Sequence, residues 1–409
     1  MRDVYSRAIC CIAATAAKDS NTGLFFDRDP RGLLPMRVET TRARIQGQKT
    51  IEPLVAYIIG CMVVTPAIAI DAAPLNQRAW VAQERYLSTG TIHFTQELIF
   101  WECRTCVTSE QDPGGAFISI TSKHLGESAA QMLKSLVFNY KDQQTGVSGD
   151  VIDAESSNGS SRIYREWCAF RTVYSGSHLT KEGDILVALN GVAQDVAEAT
   201  NDTLVAGLWR GRLIEDMGWR RLVEEDVRSA DTPSRPSIWR APTWSWASIN
   251  HTVVGYELWW EDESYSTLTN DMVTIENLSL DQQPSGELID ASMTLICRLI
   301  PMCPPKSGDG AWVPYDVAVV LDDFTSLDSK YLDHEASLVI LRYYGSTEEG
   351  FAQGILLLPS RVKMGSYERV GYFDITYDDD LDDSGEKRRI FQSVLDAYDD
   401  AEETTIELI

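Results

Sequence analysis

The chain has 409 residues, 44% hydrophobic and 24% charged, an ordinary globular composition with length for two or three domains. Its formal net charge is −25, with an isoelectric point near 4.6, which opposes general electrostatic attraction to nucleic acid and argues against that class of partner. Eight cysteines, at 10, 11, 61, 103, 106, 168, 297 and 303, lack the dense spacing of a secreted disulfide scaffold and read as reduced thiols of a cytoplasmic protein.

In chain order, MRDVYSRAICCIAATAAK reads as an amphipathic helix and not as a secretory leader. Leu54–Ile70 runs 17 residues without a charge, at the short end of a membrane span. Thr65 and Pro66 interrupt it and no basic cluster flanks it, so the expectation is a buried strand pair or a helix broken at Pro66, without membrane association. Residues 107–160 form a loop-rich insert with one helix at about His124–Phe138. Residues 161–240 read as helical: YREWCAFRTVYS, DILVALNGVAQDVAEA and LVAGLWRGRLIEDMGWRRLVEE all carry the three- and four-residue spacing of an apolar face. From 241 to 375 the period changes to two, as in SMTLICRLI, and DVAVVL, SLVILRYY and QGILLLP read as further short strands separated by turns, which predicts an antiparallel β-rich module. The end is acidic: residues 371–409 hold 13 Asp/Glu against 3 Lys/Arg, and 376–409 reads as a mobile solubilising tail. The whole is expected to be an α+β protein.

Asn76–Arg104, NQRAWVAQERYLSTGTIHFTQELIFWECR, is the densest stretch in polar and aromatic groups. Arg78, Trp80, Gln83, Glu84, Arg85, His93, Trp101, Glu102 and Arg104 fall within it, and each polar head needs a partner if buried. It is a specified structural corner or part of a working site. Glu84, between Arg78 and Arg85 and near Trp80, is the candidate acid/base or ribose-binding carboxylate; the structural alternative, an ion pair with Arg78 or Arg85, is the preferred reading. Cys103 and Cys106 have the spacing of a metal or redox pair, but no second pair matches them, and packed free thiols are expected with no metal. Trp244 and Trp246, in PTWSWAS, would share one face of a strand, as core packing or as a ligand-facing platform. No GxSxG elbow, Walker loop or GxGxxG fingerprint is present, and no cofactor is expected.

These blocks resemble one family in order. RAWVAQERYLS, IHF and WECR resemble the closing motif of the fungal heterokaryon-incompatibility (HET) domain, and MRDVYSRAICCIAATAAKDSNTGLFFDRDP resembles its middle. YSGSHLTKEGDILVALNGVAQ, AGLWRG, RAPTWSWAS and YERVGYF resemble the region that follows HET domains in filamentous fungi. The resemblance implies a role in vegetative incompatibility, where fusion of unlike cells triggers programmed cell death, with other proteins of that pathway as partners. It also implies a distantly TIR-like α/β fold, and hence a conceivable NAD hydrolase with Glu84 or Glu102 near the site. The family's opening segments, resembling LSYCWG and WIDALCIIQ, do not occur here. Residues 1–106 are therefore expected to be the C-terminal part of a HET domain, leaving a non-catalytic interaction module or inert remnant as the third reading.

Overall fold

The computed structural model describes residues 2–28, 36–40, 54–58, 67–111, 128–145, 159–222, 235–255, 272–302, 318–322, 336–345, 349–378 and 385–409. The chain divides into two compact units, Met1–Asn139 and Tyr140–Ile409. Together they make a mixed α/β protein with a helical middle region and a β-rich C-terminal sheet.

The first unit is built on a four-stranded sheet. Strand β1 (Cys11–Ala13) pairs in parallel with β4 (Gly90–Phe94), and β4, β5 (Ile99–Cys103) and β6 (Val107–Ser109) form an antiparallel meander. Strands β2 (Met36–Thr40) and β3 (Leu54–Ile58) pair separately as an antiparallel ribbon. Helix α1 (Arg2–Ser6), helix α2 (Ala79–Leu87) and the residues of α3 (Ala129–Thr145) up to Asn139 complete the unit. The expected N-terminal helix stops at Ser6. Cys11 and Ile12 suit a strand, and a ready partner in β4 outweighs the helical spacing around them. The charge-free run opens as β3, a short π-helical turn covers Ala67–Asp71, and residues 59–66, with Pro66, lie outside the described residues. Among the described residues no helix is long and apolar enough to cross a membrane. The insert helix is α3, and residues 112–127 and 146–158 of the insert lie outside the described residues.

In the second unit, α4 (Gly159–Ser175) and α5 (Asn190–Thr200) form as their periodicity predicts, burying Trp167, Phe170 and Tyr174 from one and Val192, Ala193 and Val196 from the other. The next helical expectation fails. Residues 204–209 form a hairpin of β7 (Leu204–Val205) and β8 (Leu208–Trp209), followed by a 3-10 turn and the single-turn helix α6 (Leu213–Asp216). Ala206 and Gly207, at φ 50 and 89, make a two-residue turn of the type that matches strand twist, and no helix passes through two left-handed residues. A Cβ on Gly207 would also stand 2.9 Å from Trp246 Nε1.

Strands β9 (Arg220–Arg221) and β10 (Val253–Val254) form a small antiparallel pair. The main sheet has eight strands. β11 (Thr274–Gln282), β12 (Leu288–Arg298), β13 (Ile300–Pro301), β14 (Ala318–Leu321), β15 (Ser337–Gly345), β16 (Glu349–Pro359) and β17 (Ser366–Asp378) are joined by β18 (Glu403–Leu408), in the order β11-β12-β18-β17-β16-β15-β13 with β14 also on β17. All pairs are antiparallel except β17 with β18. The expected mobile tail therefore supplies an interior strand. It also supplies helix α7 (Glu386–Asp400), whose Phe391 and Val394 pack into the core formed by Ile340, Phe373 and Tyr377. Its apolar positions are few, but they fall on one face of the helix and on alternate residues of the strand.

Candidate functional site

Strand periodicity builds a buried polar centre in the first unit. β5 turns Phe100 and Glu102 inward and Ile99, Trp101 and Cys103 outward. Opposite it, β4 turns Thr91 and His93 inward, with Thr91 facing Glu102 and His93 facing Phe100 in register. Glu102 and His93 are thus diagonal neighbours on one face, within reach of long side chains. Arg85, in the last turn of α2, completes the group. Glu102 is 0% exposed, His93 1% and Arg85 6%.

A carboxylate held from water in this way must be paired or lose its charge. Arg85 Nε donates to Glu102 Oε2 at 2.7 Å, and Arg85 Nη2 lies 2.7 Å from the same oxygen. Arg85 Nη1 pairs with Asp71, at the end of the π-helical turn, and Asp71 Oδ1 also accepts from Ser128 Oγ at 2.9 Å. His93 Nε2 lies 3.2 Å from Glu102 Oε2, and Nδ1 lies 3.0 Å from Thr15 Oγ1. Lys134 Nζ, on α3, donates to the Arg85 carbonyl at 3.2 Å.

The electrostatics follow from this geometry. Burial works to raise the Glu102 pKa, but the Arg85 charge and then His93 outweigh it, holding the carboxyl well below its usual range. Burial likewise opposes the Arg85 charge, and Glu102 and Asp71 overcome that opposition. Burial lowers His93 against the pull of Glu102, so the ring is neutral near pH 7. A proton on Nε2 would face the carboxylate and leave Nδ1 as the acceptor toward Thr15 Oγ1. Burial also brings Lys134 down to about 8. Glu102 Oε1 has no hydrogen-bond partner among the described residues.

The other residues singled out in this stretch lie elsewhere. Arg78 is exposed, Trp80 half-buried and Gln83 buried. Glu84 is half-buried and bonds Tyr5, whose hydroxyl is raised to about 12 by burial and by that carboxylate. The carboxylates pairing with Arg85 are therefore Glu102 and Asp71, not its helix neighbour Glu84, because adjacent helical residues point about 100° apart. Trp101 is 37% exposed. It lies on the outer face, where its ring covers Gly90: a Cβ there would fall 2.4 Å from the indole. Asp71, Ser128 and Lys134 went unnoticed in the sequence. The signal that could have found such partners was an inward strand glutamate, which demands a cation and donors around it.

Cys103 and Cys106 end β5 and precede β6; Cys103 is half-buried and Cys106 exposed, so neither packs in a core. Among the described residues no group of three or more His, Cys, Asp or Glu side chains is arranged to hold a metal ion.

Trp244 and Trp246 belong to the second unit and are fully buried. They do not share a strand; Trp246–Ser248 is a 3-10 turn whose N-cap, Ser245, accepts from the Ala247 amide. Trp246 Nε1 donates to the Gly207 carbonyl at 2.8 Å, and Ser245 Oγ to the Ala206 carbonyl at 2.6 Å. Trp219 Nε1 donates to the Trp244 carbonyl at 2.9 Å. The Arg369 guanidinium lies 3.4 Å from the centre of the Trp219 ring, pairs with Asp322 at 3.2 Å and donates to the Met217 carbonyl at 2.8 Å. This arrangement is packing held by indole and guanidinium donors, and it leaves no aromatic face open. A cleft of about 280 Å³ in the same unit is lined by Asn190, Gln194, Asp202, Gln282 and Gln283 among others. Asn190 donates to Ser285 and Gln282 to Gly286, so the amide heads of those two already serve the fold.

Comparisons with protein-family models, with curated proteins and with solved structures give no match for this chain.

Proposed function

We propose that this chain is a fungal heterokaryon-incompatibility protein of the HET family, acting in self/non-self recognition and cell-death signalling in the cytoplasm through contacts with other proteins. One observation supports the reading most. Each of the three blocks that resemble the HET closing motif contributes one member of a single buried network: Arg85 from RAWVAQERYLS, His93 from IHF and Glu102 from WECR. A resemblance in sequence does not by itself require these three side chains to meet. On this reading the motif is the keystone of a TIR-like α/β arrangement, in which Arg85, His93 and Glu102 are there to be buried.

The alternative, NAD cleavage by Glu102 or Glu84, is less well supported. A catalytic carboxylate must reach the sugar it acts on, and Glu102 is 0% exposed and held by Arg85. Glu84 is engaged by Tyr5. The test is inducible expression in a filamentous fungus, scoring death of fused compartments against an empty control, together with NAD consumption by the purified chain. The proposal expects compartment death and intact NAD. Fused cells that survive at the control rate contradict the incompatibility role. NAD turnover abolished by Glu102→Gln in a chain that stays folded establishes the enzyme instead.

A further inference from the structure

We propose that Cys103 and Cys106 form a thiol–disulfide exchange site, whose oxidant is a low-molecular-weight or protein disulfide. The proposal is independent of the incompatibility reading. The two cysteines flank the Arg104-Thr105 turn between β5 and β6, where Glu102 pairs with Val107. The Cys103 amide donates to the Cys106 carbonyl at 2.9 Å and closes the turn. The sulfurs stand 3.6 Å apart. A disulfide needs about 2.05 Å, so side-chain rotation across a closed turn brings them together without unfolding a strand. The turn is also anchored, because the Arg104 guanidinium sits 4.5 Å over the Phe138 ring.

The two thiols are unequal. Thr105 Oγ1 lies 3.2 Å from Cys103 Sγ. Burial works to raise the Cys103 pKa, but hydrogen bonds from Thr105 and from the Cys106 amide outweigh it and bring the thiol down to about 7. Burial and then Cys103 itself push Cys106 up. Cys103 is therefore the attacking thiolate and Cys106, the more exposed, the resolving thiol. Cys168 and Cys297 differ: both are buried and raised by burial, and neither is placed to react.

The exchange balances in two steps. The Cys103 thiolate attacks one sulfur of the incoming disulfide, forming a mixed disulfide and releasing one thiolate. Cys106 then loses its proton and attacks the Cys103 sulfur, closing the Cys103–Cys106 bond and expelling the second thiol. The protein dithiol is oxidised by two electrons, and the incoming disulfide is reduced to two thiols. In a reducing compartment such a bond is transient, as suits a redox sensor rather than a structural staple.

The test uses the full chain and glutathione disulfide, read by peptide mass mapping after alkylation. The expected product is an internal Cys103–Cys106 disulfide, reversed by dithiothreitol. Cys106→Ser should trap one glutathionyl group on Cys103, and Cys103→Ser should abolish the reaction at this turn. At pH 7, Cys103 should alkylate about threefold faster than an unstructured cysteine, a gain in thiolate fraction reduced by weaker nucleophilicity at low pKa. Failure of the internal bond to form, or a trapped glutathionyl group on Cys106 in Cys103→Ser at the wild-type rate, would overturn the proposal.

Discussion

In the first unit the buried centre is ionic: Glu102, Arg85 and Asp71 meet beside His93 and Lys134. In the second it is aromatic: Trp167, Trp209, Trp219, Trp244 and Trp246 are all fully buried, and the Trp219 and Trp246 indoles donate to backbone carbonyls. The carboxylates at the two centres are shifted in opposite directions. Glu102 is held down because Arg85 outweighs burial, whereas burial outweighs Arg171 at Asp216 and Arg369 at Asp322 and raises both. A depressed acid contributes stability that is present above its ordinary pKa and lost as the pH falls below it. A raised acid does the reverse, and its contribution is lost as the pH climbs through the folded value. Acidification below about 4.5, the ordinary value for Glu102, should therefore loosen the first centre. It should also relieve a strain in the second. The two units fail for different physical reasons, and hydrogen exchange on the amides of β4 and β5 against those of β16 and β17 should separate them as the pH falls. Equal loss of protection in both would erase the distinction.

Substitutions sharpen the contrast. The largest cost is expected at Trp246→Ala, about 4 kcal/mol in urea unfolding, because the cavity adds to the loss of the bond to Gly207. That cost should hardly change between pH 7 and pH 5. Glu102→Gln comes next, at about 3 kcal/mol near neutral pH, since it leaves Arg85 buried with Asp71 alone. Its cost should shrink in acid, where the wild-type carboxylate loses its advantage.

Lys134 has the third effect and the opposite sign. Burial disfavours its ammonium and brings the pKa down to about 8, against 10.5 unfolded. The associated stability is complete above about 10.5 and is lost as the pH falls through about 8. Lys134→Met should thus stabilise the chain by about 2 kcal/mol at pH 7, after subtracting its bond to the Arg85 carbonyl, and the gain should vanish near pH 10. A destabilised variant at pH 7 would show that the ammonium belongs to the ion network. Trp101→Ala should cost least, about 1 kcal/mol, because the ring is 37% exposed on the outer face of the sheet, where it lies over Gly90.

These contrasts track what the sequence could disclose. SMTLICRLI gave true strand and YREWCAFRTVYS a true helix because one face of each is buried along its length, and QGILLLP gave a true strand as a continuous apolar run buried on both faces. LVAGLWRG misled because leucines at helical spacing can also flank a hairpin, and Ala206 at positive φ is invisible to periodicity. The acidic end misled because a charge count hides the alternation of Ile406 and Leu408. At the polar centre, Arg85, His93 and Glu102 all lay in the stretch the composition marked out. Their pairing did not, because it depends on strand facing. Asp71, Ser128 and Lys134 arrive from other elements, and only the fold brings them in.

The central claim is that Arg85, His93 and Glu102, from three neighbouring sequence blocks, meet in one buried network whose ion pair is Arg85 with Glu102. A double-mutant cycle between Arg85 and Glu102 tests it most directly, with Arg85→Met, Glu102→Gln and their combination followed by native-state exchange of the β4 and β5 amides. The account predicts a coupling of about 2–4 kcal/mol, with the double variant far less damaged than the sum of the two. Additive costs, with no coupling beyond about 0.5 kcal/mol, would contradict it.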